Sequence, residues 1–315
     1  MTDFDDEVAR QLKRMPAIRA DTIAEILIML DQAEATIVAR LAAATATTRT
    51  KLLQLQTEVR AAMERFRLAA EGRMSQRMGE SWRAGIDLWR EPARVASLGL
   101  VPRINDRALL AMRAFVTDKI KDLSTAGVDR VNRVLGQVLA GALPAADAIS
   151  QVQAQLREAT RARAMRIVYT EIGRAYSVSS YQSMLAADAS GVRLAKRWLK
   201  SGKMHPRASH VAAHNQIVRV TAPFLIADAK TAKVEPLRYP RDEQASPGNT
   251  INCGCIMVPM ADGSTFGASV VHIPVDPALP IRLMSRAEYD ALSAQSVAEV
   301  EDRLARYLGK PQISR

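Results

Sequence analysis

The sequence predicts an α+β fold, with a long-helix N-terminal half, a small loop-rich α+β C-terminal module and a C-terminal helix. Three observations predict it. Apolar residues recur at helical spacing through the first half, prolines and glycines crowd the stretch after Gly191, and a helix-start signature returns at Ser285.

Taken in order, Thr22-Ile23-Ala24-Glu25 reads as a capping box, in which hydroxyl and carboxylate satisfy the free amides of a helix start. Ile23, Ile26, Leu27, Leu30, Ile37, Val38 and Leu41 then follow the helical period, and the polar run Thr45 to Thr50 predicts a break. Leu52, Leu55, Val59, Ala62, Phe66 and Ala69 alternate three and four residues apart, the narrow seam of long helices packed side by side. Pro92, Gly99 and Pro102 predict a connection, with Asn105 or Asp106 capping the next helix. That helix carries Leu109, Met112, Val116, Ile120 and Leu123, is expected to be interrupted at Gly127, and resumes through Val131, Leu135 and Val138 to Gly141. Pro144 opens a short helix, and 160–187 forms the last long one, with Met165, Val168, Ile172 and Tyr176 on one face. Beyond Gly191, Gln216 to Thr221 and Ile251 to Val258 read as strands of a small module. Ser285-Arg286-Ala287-Glu288 is a second capping box and starts the C-terminal helix.

Apolar residues make up 48% of the chain, which excludes wholesale disorder. Aromatic residues are 4%, too few for a surface that stacks single-stranded bases on rings. The net charge of +11 suits a phosphate backbone, and equally an arginine-rich composition with no such partner. The excess is densest around Arg157, Arg161, Arg163, Arg166 and Arg174. The opening Met1 to Arg10 is acidic and has no apolar core, so no secretory signal is expected there, and no apolar run is long enough to span a membrane. The two cysteines, Cys253 and Cys255, make no disulfide framework and suit a reducing compartment.

The stretch 197–259 holds the distinctive chemistry. Sulfur and imidazole are good ligands for zinc, so Cys253, Cys255 and His210, with His214 or His205 as a fourth, form a candidate metal site. Against this stands a plain structural reading, two buried thiols and a hydrogen-bonded core histidine. Glu171 reads as a structural carboxylate paired with Arg174, Arg166 or Arg197, the alternative being a catalytic base. Trp198 reads as a core anchor. Arg161, Arg163 and Arg166 are candidates for DNA phosphate contact, or for a solvated helix face. No P-loop, Gly-x-Ser-x-Gly or His-Glu-x-x-His pattern is present.

The order Lys196-Arg197-Trp198, Arg207-Ala208-Ser209-His210, Pro223-Phe224, Pro240, Asn252-Cys253-Gly254-Cys255 and Pro259 resembles the C-terminal domain of the phage Mu F-like head morphogenesis family. Arg166 and Thr170-Glu171 match the segment upstream of that domain, while Gly254 stands where the family often has arginine. The resemblance implies structural roles for Trp198, Arg207, Glu171 and Asn252. It divides the chain into a helical region 1–159 for assembly and partner binding, a Mu F-like domain 160–275 and a helical tail 276–315. It implies a minor capsid protein of a tailed bacteriophage, with no enzymatic turnover. The expected partners are the portal protein, other head proteins, sibling copies and packaged DNA. Its expected place is the virion, inside the capsid, and the host cytoplasm during assembly. Structural zinc is the one cofactor this reading admits. The alternative is a metal-dependent hydrolase or toxin-like enzyme built on His210, Cys253 and Cys255, although residues 276–315 are too short for a separate toxin module.

Overall fold

The computed structural model describes residues 3–43, 49–98, 106–203, 206–227 and 234–261. The chain is mostly helical with a small strand-containing C-terminal region, in agreement with the expected α+β class. Among the described residues, six helices come first: α1 (Asp3–Leu12), α2 (Arg14–Ala42), α3 (Arg49–Val95), α4 (Arg107–Leu139), α5 (Ala145–Ala154) and, after a π-helical turn at Gln155–Thr160, α6 (Arg161–Ala189). The remainder is β1 (Leu194–Leu199), α7 (Ala208–Ala212), β2 (Ile217–Arg219), β3 (Phe224–Ala227), β4 (Val234–Leu237), α8 (Pro247–Thr250) and β5 (Ile256–Ala261). The expected helix at Ser285, and the tail 276–315 with it, lies outside the described residues.

Two compact units emerge, and they interleave along the chain. One consists of Pro16–Ser81 and Asp106–Ile172, the other of Met1–Met15, Trp82–Asn105 and Gly173–Arg315.

Among its described residues the first unit forms helices joined by turns, with no strand. Thr22 does not start α2, contrary to the capping-box expectation. Pro16 sits in the first turn, where a missing N–H leaves no helical bond unmade, and Thr22 is buried mid-helix with its hydroxyl donated to the Ile18 carbonyl at 2.6 Å. The buried stripe of α2 runs through Ile26, Leu30, Ala33, Ile37 and Leu41. On α3 the seam holds from Leu52 to Phe66, but then drifts: Ala69 is exposed and Ala70 is buried. A straight helix turns about 20° per heptad against a strict seven-residue repeat, so a long seam cannot stay on one line. Gly127 does not interrupt α4. A Cβ there would lie 2.7 Å from Met63 Cε, so the glycine is a contact point between helices, and nearby the Ser124 hydroxyl reaches the Met63 carbonyl at 2.9 Å. Asp106 precedes α4 without a side-chain capping bond, and Asn105 lies outside the described residues. On α6, Val168 and Ile172 are buried as expected, whereas Met165 is 42% exposed.

The helix ends follow local rules. Gly141 and Gly191 take positive φ, 72° and 94°, and in each case the residue after the glycine donates its N–H five residues back, to Gln137 and to Ala187. These are Schellman endings, which need the left-handed conformation that glycine adopts freely. The expected connection from Pro92 begins later, because α3 runs to Val95. It closes through the same bond pattern, Leu98 N–H to Ala93 carbonyl at 2.9 Å, with Ser97 at φ 54°.

The second unit carries the strands. β1 lies between β2 and β5 in an antiparallel sheet, and β3 pairs with β4. Trp198 stands opposite Met257 and Lys196 opposite Pro259, which is tolerable because β5 is at the sheet edge. Side chains alternate along a strand, so Leu194, Lys196 and Trp198 all face inward. The strand expected over 251–258 forms only from Ile256, since Pro247–Thr250 is helical and Ile251 and Asn252 form a turn. Phe4 of α1 meets Trp89 of α3 edge-on, ring centroids 6.0 Å apart. α3 and α6 approach each other closely at Gly85, where a Cβ would overlap the Tyr176 carbonyl and the Ser179 hydroxyl.

Two glycines of α3 therefore predict opposite signs. Gly85→Ala should lower the thermal midpoint by an overpacking cost of about 1–3 kcal/mol. Gly72→Ala, with nothing near its Cβ, should raise stability by about 0.5–1 kcal/mol, because alanine is the better helix former. Thermal unfolding of the two variants checks this, and an unchanged midpoint in Gly85→Ala would contradict the close approach.

Candidate metal centre

His210 is carried by α7, a short helix between β1 and β2, and the two cysteines lie on the loop entering β5. All three are at least 98% buried: Cys253 and Cys255 are 1% exposed and His210 is 2%. His210 Nδ1 lies 3.5 Å from Cys253 Sγ and 3.3 Å from Cys255 Sγ, and the three donor atoms fall within 4.8 Å of one another. Both cysteines are free thiols. The Cys255 hydrogen bond to Cys253 holds the Cys253 thiol well below its usual range, and that bond together with burial pushes Cys255 up. Trp198, fully buried, sets the imidazole by an edge-on contact at 5.5 Å and meets Phe224 at 5.2 Å.

The far side of the imidazole is also held. His210 Nε2 is 3.1 Å from Asn249 Oδ1, and Asn249 Nδ2 donates to Glu235 Oε2 at 2.9 Å. Glu235 accepts the Ser246 N–H as well, at 3.0 Å, which ties β4 to the start of α8.

The loop itself is clamped by three cations that donate to its carbonyls. Lys203 Nζ reaches the Asn252 carbonyl at 2.6 Å and its side-chain oxygen at 3.0 Å. Arg207 reaches the Ile251 carbonyl at 2.6 Å. Arg241, wholly buried, donates to the Cys253 carbonyl at 2.7 Å, the Cys255 carbonyl at 3.0 Å and the Ser177 hydroxyl at 2.8 Å. Gly173 makes room for this guanidinium, since a Cβ there would sit 2.8 Å from Arg241 Cζ. Asn252 takes φ 57°, the left-handed turn that asparagine tolerates better than most residues.

The structure thus brings together His210, Cys253, Cys255, Trp198, Arg207 and Asn252. His214 is not in the cluster: its Nδ1 faces the Lys200 N–H at 3.3 Å, and burial lowers its pKa. His205 lies outside the described residues. Glu171 is buried and takes the ammonium of Lys119 of α4 at 2.6 Å. Arg161 is paired with Asp31 at 2.6 Å and Arg157 with Glu34 at 2.7 Å, along an open groove of about 730 Å³. Arg163 is half-buried and Arg166 exposed.

Sequence reasoning passed over Arg241, Asn249, Glu235 and Lys196. Arg241 sits in a polar run that looks like solvent-facing loop, and Asn249 in a Pro-Gly-Asn turn, so neither carried a usable signal. Lys196 did carry one, since strand alternation puts it on the face of Trp198. It is buried, donates to the Arg238 carbonyl at 2.6 Å and lies over the Tyr181 and Phe224 rings, and burial holds its pKa well below the usual lysine value.

Residues 133–258 match the family described as Phage Mu protein F like protein, a phage head morphogenesis family, which bears out the resemblance over that span. The uncharacterized protein YqbB of Bacillus subtilis (strain 168) is 26% identical over 160 residues, covering 49% of this chain and 50% of that protein. The chain thus spans about half the length of this curated relative. No solved structure matches the chain.

Removal of the Arg241 side chain leaves two buried carbonyls without a donor. Arg241→Ala should destabilise the chain by about 3 kcal/mol or more, since hydrogen bonds to charged groups contribute ~1.5–3 kcal/mol each. Arg241→Lys should recover only part, because one ammonium nitrogen can replace Nη1 on the two carbonyls but cannot also stand where Nη2 meets the Ser177 hydroxyl. Urea unfolding of the full chain measures both, and a lysine variant with the parental midpoint would refute the fork.

Proposed function

We propose, on the premise of the Mu F-like match at residues 133–258, that this protein is a minor capsid protein of a tailed bacteriophage. It sits with the portal at the head interior and acts in head assembly and in DNA packaging or delivery. That match is the observation that carries the reading. The action is binding and positioning, with no turnover.

The helical unit supports a role in assembly. Ile28, Leu53, Leu68, Leu110 and Phe115 are each more than half exposed, on helices that offer apolar surface to a partner helix of the portal or a sibling copy. Among the described residues no helix is long and apolar enough to cross a membrane. Arg163 and Arg166 face packaged DNA, while Arg161, held by Asp31, contributes less. The hydrolase alternative asks for a carboxylate base at the cluster, whereas the side chain bonded to His210 is the amide of Asn249.

Two experiments test this. Purified particles of the phage that encodes the chain should contain it in few copies, and the chain should capture the portal protein encoded with it; particles that lack it would end the proposal. For DNA contact, the affinity for duplex should fall with added salt. Arg163→Ala with Arg166→Ala should flatten the log–log slope by about 2, roughly one per phosphate lost. An unchanged slope removes these two arginines from the DNA surface.

A further inference from the structure

We infer that His210 Nδ1, Cys253 Sγ and Cys255 Sγ bind one zinc ion, which staples α7 to the loop entering β5. This stands apart from the head-protein reading and rests on the geometry of one cluster.

The orientation of the imidazole is fixed from outside the cluster. The Glu235 carboxylate only accepts, so Asn249 must turn its NH₂ group towards it. Asn249 therefore presents its oxygen to His210, and Nε2 must carry the imidazole proton. Nδ1, the other ring nitrogen, faces both sulfurs. A metal-bound histidine is oriented in the same manner, its second nitrogen donating to a fixed oxygen.

The distances agree with a shared ion. One ring nitrogen makes a single well-aligned hydrogen bond, yet the two sulfurs here are 3.3 and 3.5 Å from the same nitrogen. Tetrahedral zinc, with Zn–S of about 2.3 Å and Zn–N of about 2.0–2.1 Å, places nitrogen and sulfur roughly 3.5 Å apart. The donor set, two thiolates and an imidazole, favours zinc over magnesium or calcium, which take oxygen. Arg241 fixes the backbone of both cysteines by donating to their carbonyls. Among the described residues these three side chains supply the protein ligands. The site's role is structural, because the module has two small sheets and metal binding contributes directly to folding.

The test uses the full-length chain, expressed with added zinc and kept reduced. Elemental analysis should find one zinc per chain. Cobalt(II) titrated into the metal-free protein should produce a thiolate-to-cobalt charge-transfer band and the intense visible bands of a tetrahedral site. Cys253→Ser and His210→Ala should lose the stoichiometric metal, His214→Ala should keep it, and Asn249→Ala should weaken zinc binding by about 10–100-fold. Should a ligand variant fail to fold, the cobalt spectrum of the unaltered chain still decides. Neither zinc nor a thiolate–cobalt band in that chain overturns the inference, as does zinc that persists when both cysteines are serine.

Discussion

A guanidinium with no exposure to solvent must have its donors met inside the protein, and Arg241 imposes that condition on everything around it. Its partners come from distant parts of the chain: the Ser177 hydroxyl of α6 and the carbonyls of Cys253 and Cys255. Arg174, also on α6, donates to the Arg241 carbonyl at 3.0 Å, so the residue is held through both side chain and backbone. Gly173 has no side chain where the guanidinium passes. The cysteine loop takes its path because its carbonyls answer this buried cation, and the sulfurs point towards His210 because the loop takes that path.

The same logic organises the rest of the module. Asp242, next to Arg241, is 1% exposed and receives the Arg238 guanidinium and the backbone N–H groups of Arg238 and Gln244. These bonds hold its carboxyl below the ordinary carboxylate range although burial acts the other way. Lys196, Asp242, Arg241 and His210 are all buried in this module. Polar groups that share hydrogen bonds there fix one arrangement where apolar packing alone would be less directional. The family match and the physical description converge on this module, since the matched residues 133–258 end within β5, beyond the cysteine loop.

Much of the helical fold was legible because its signals are local. A period of 3.6 residues and a glycine in left-handed conformation act over a turn or two, so α4 could be ended at Gly141 and α6 at about Ala187, close to its actual end at Ala189. The errors were local signals that long-range packing overrode. Thr22 and Glu25 have the spacing of a cap but lie inside α2, Gly127 has the look of a breaker but is a contact with Met63, and Pro92 sits within the last turn of α3. The π-helical turn at Gln155–Thr160, where the Thr160 hydroxyl reaches the Gln155 carbonyl, had no periodic signature.

Residue types and their order along the chain were enough to indicate an α+β protein with Mu F-like character and to single out His210, Cys253 and Cys255 as a group. They could do so because hydrophobic period, turn residues and soft-ligand chemistry are properties of individual residues and short spacings. Which groups complete that cluster was settled by folding: Asn249 and Glu235 behind the imidazole, Arg241 on the carbonyls, and His214 outside. These partners lie tens of residues apart, and their meeting depends on strand register and loop path, which no short window of sequence contains.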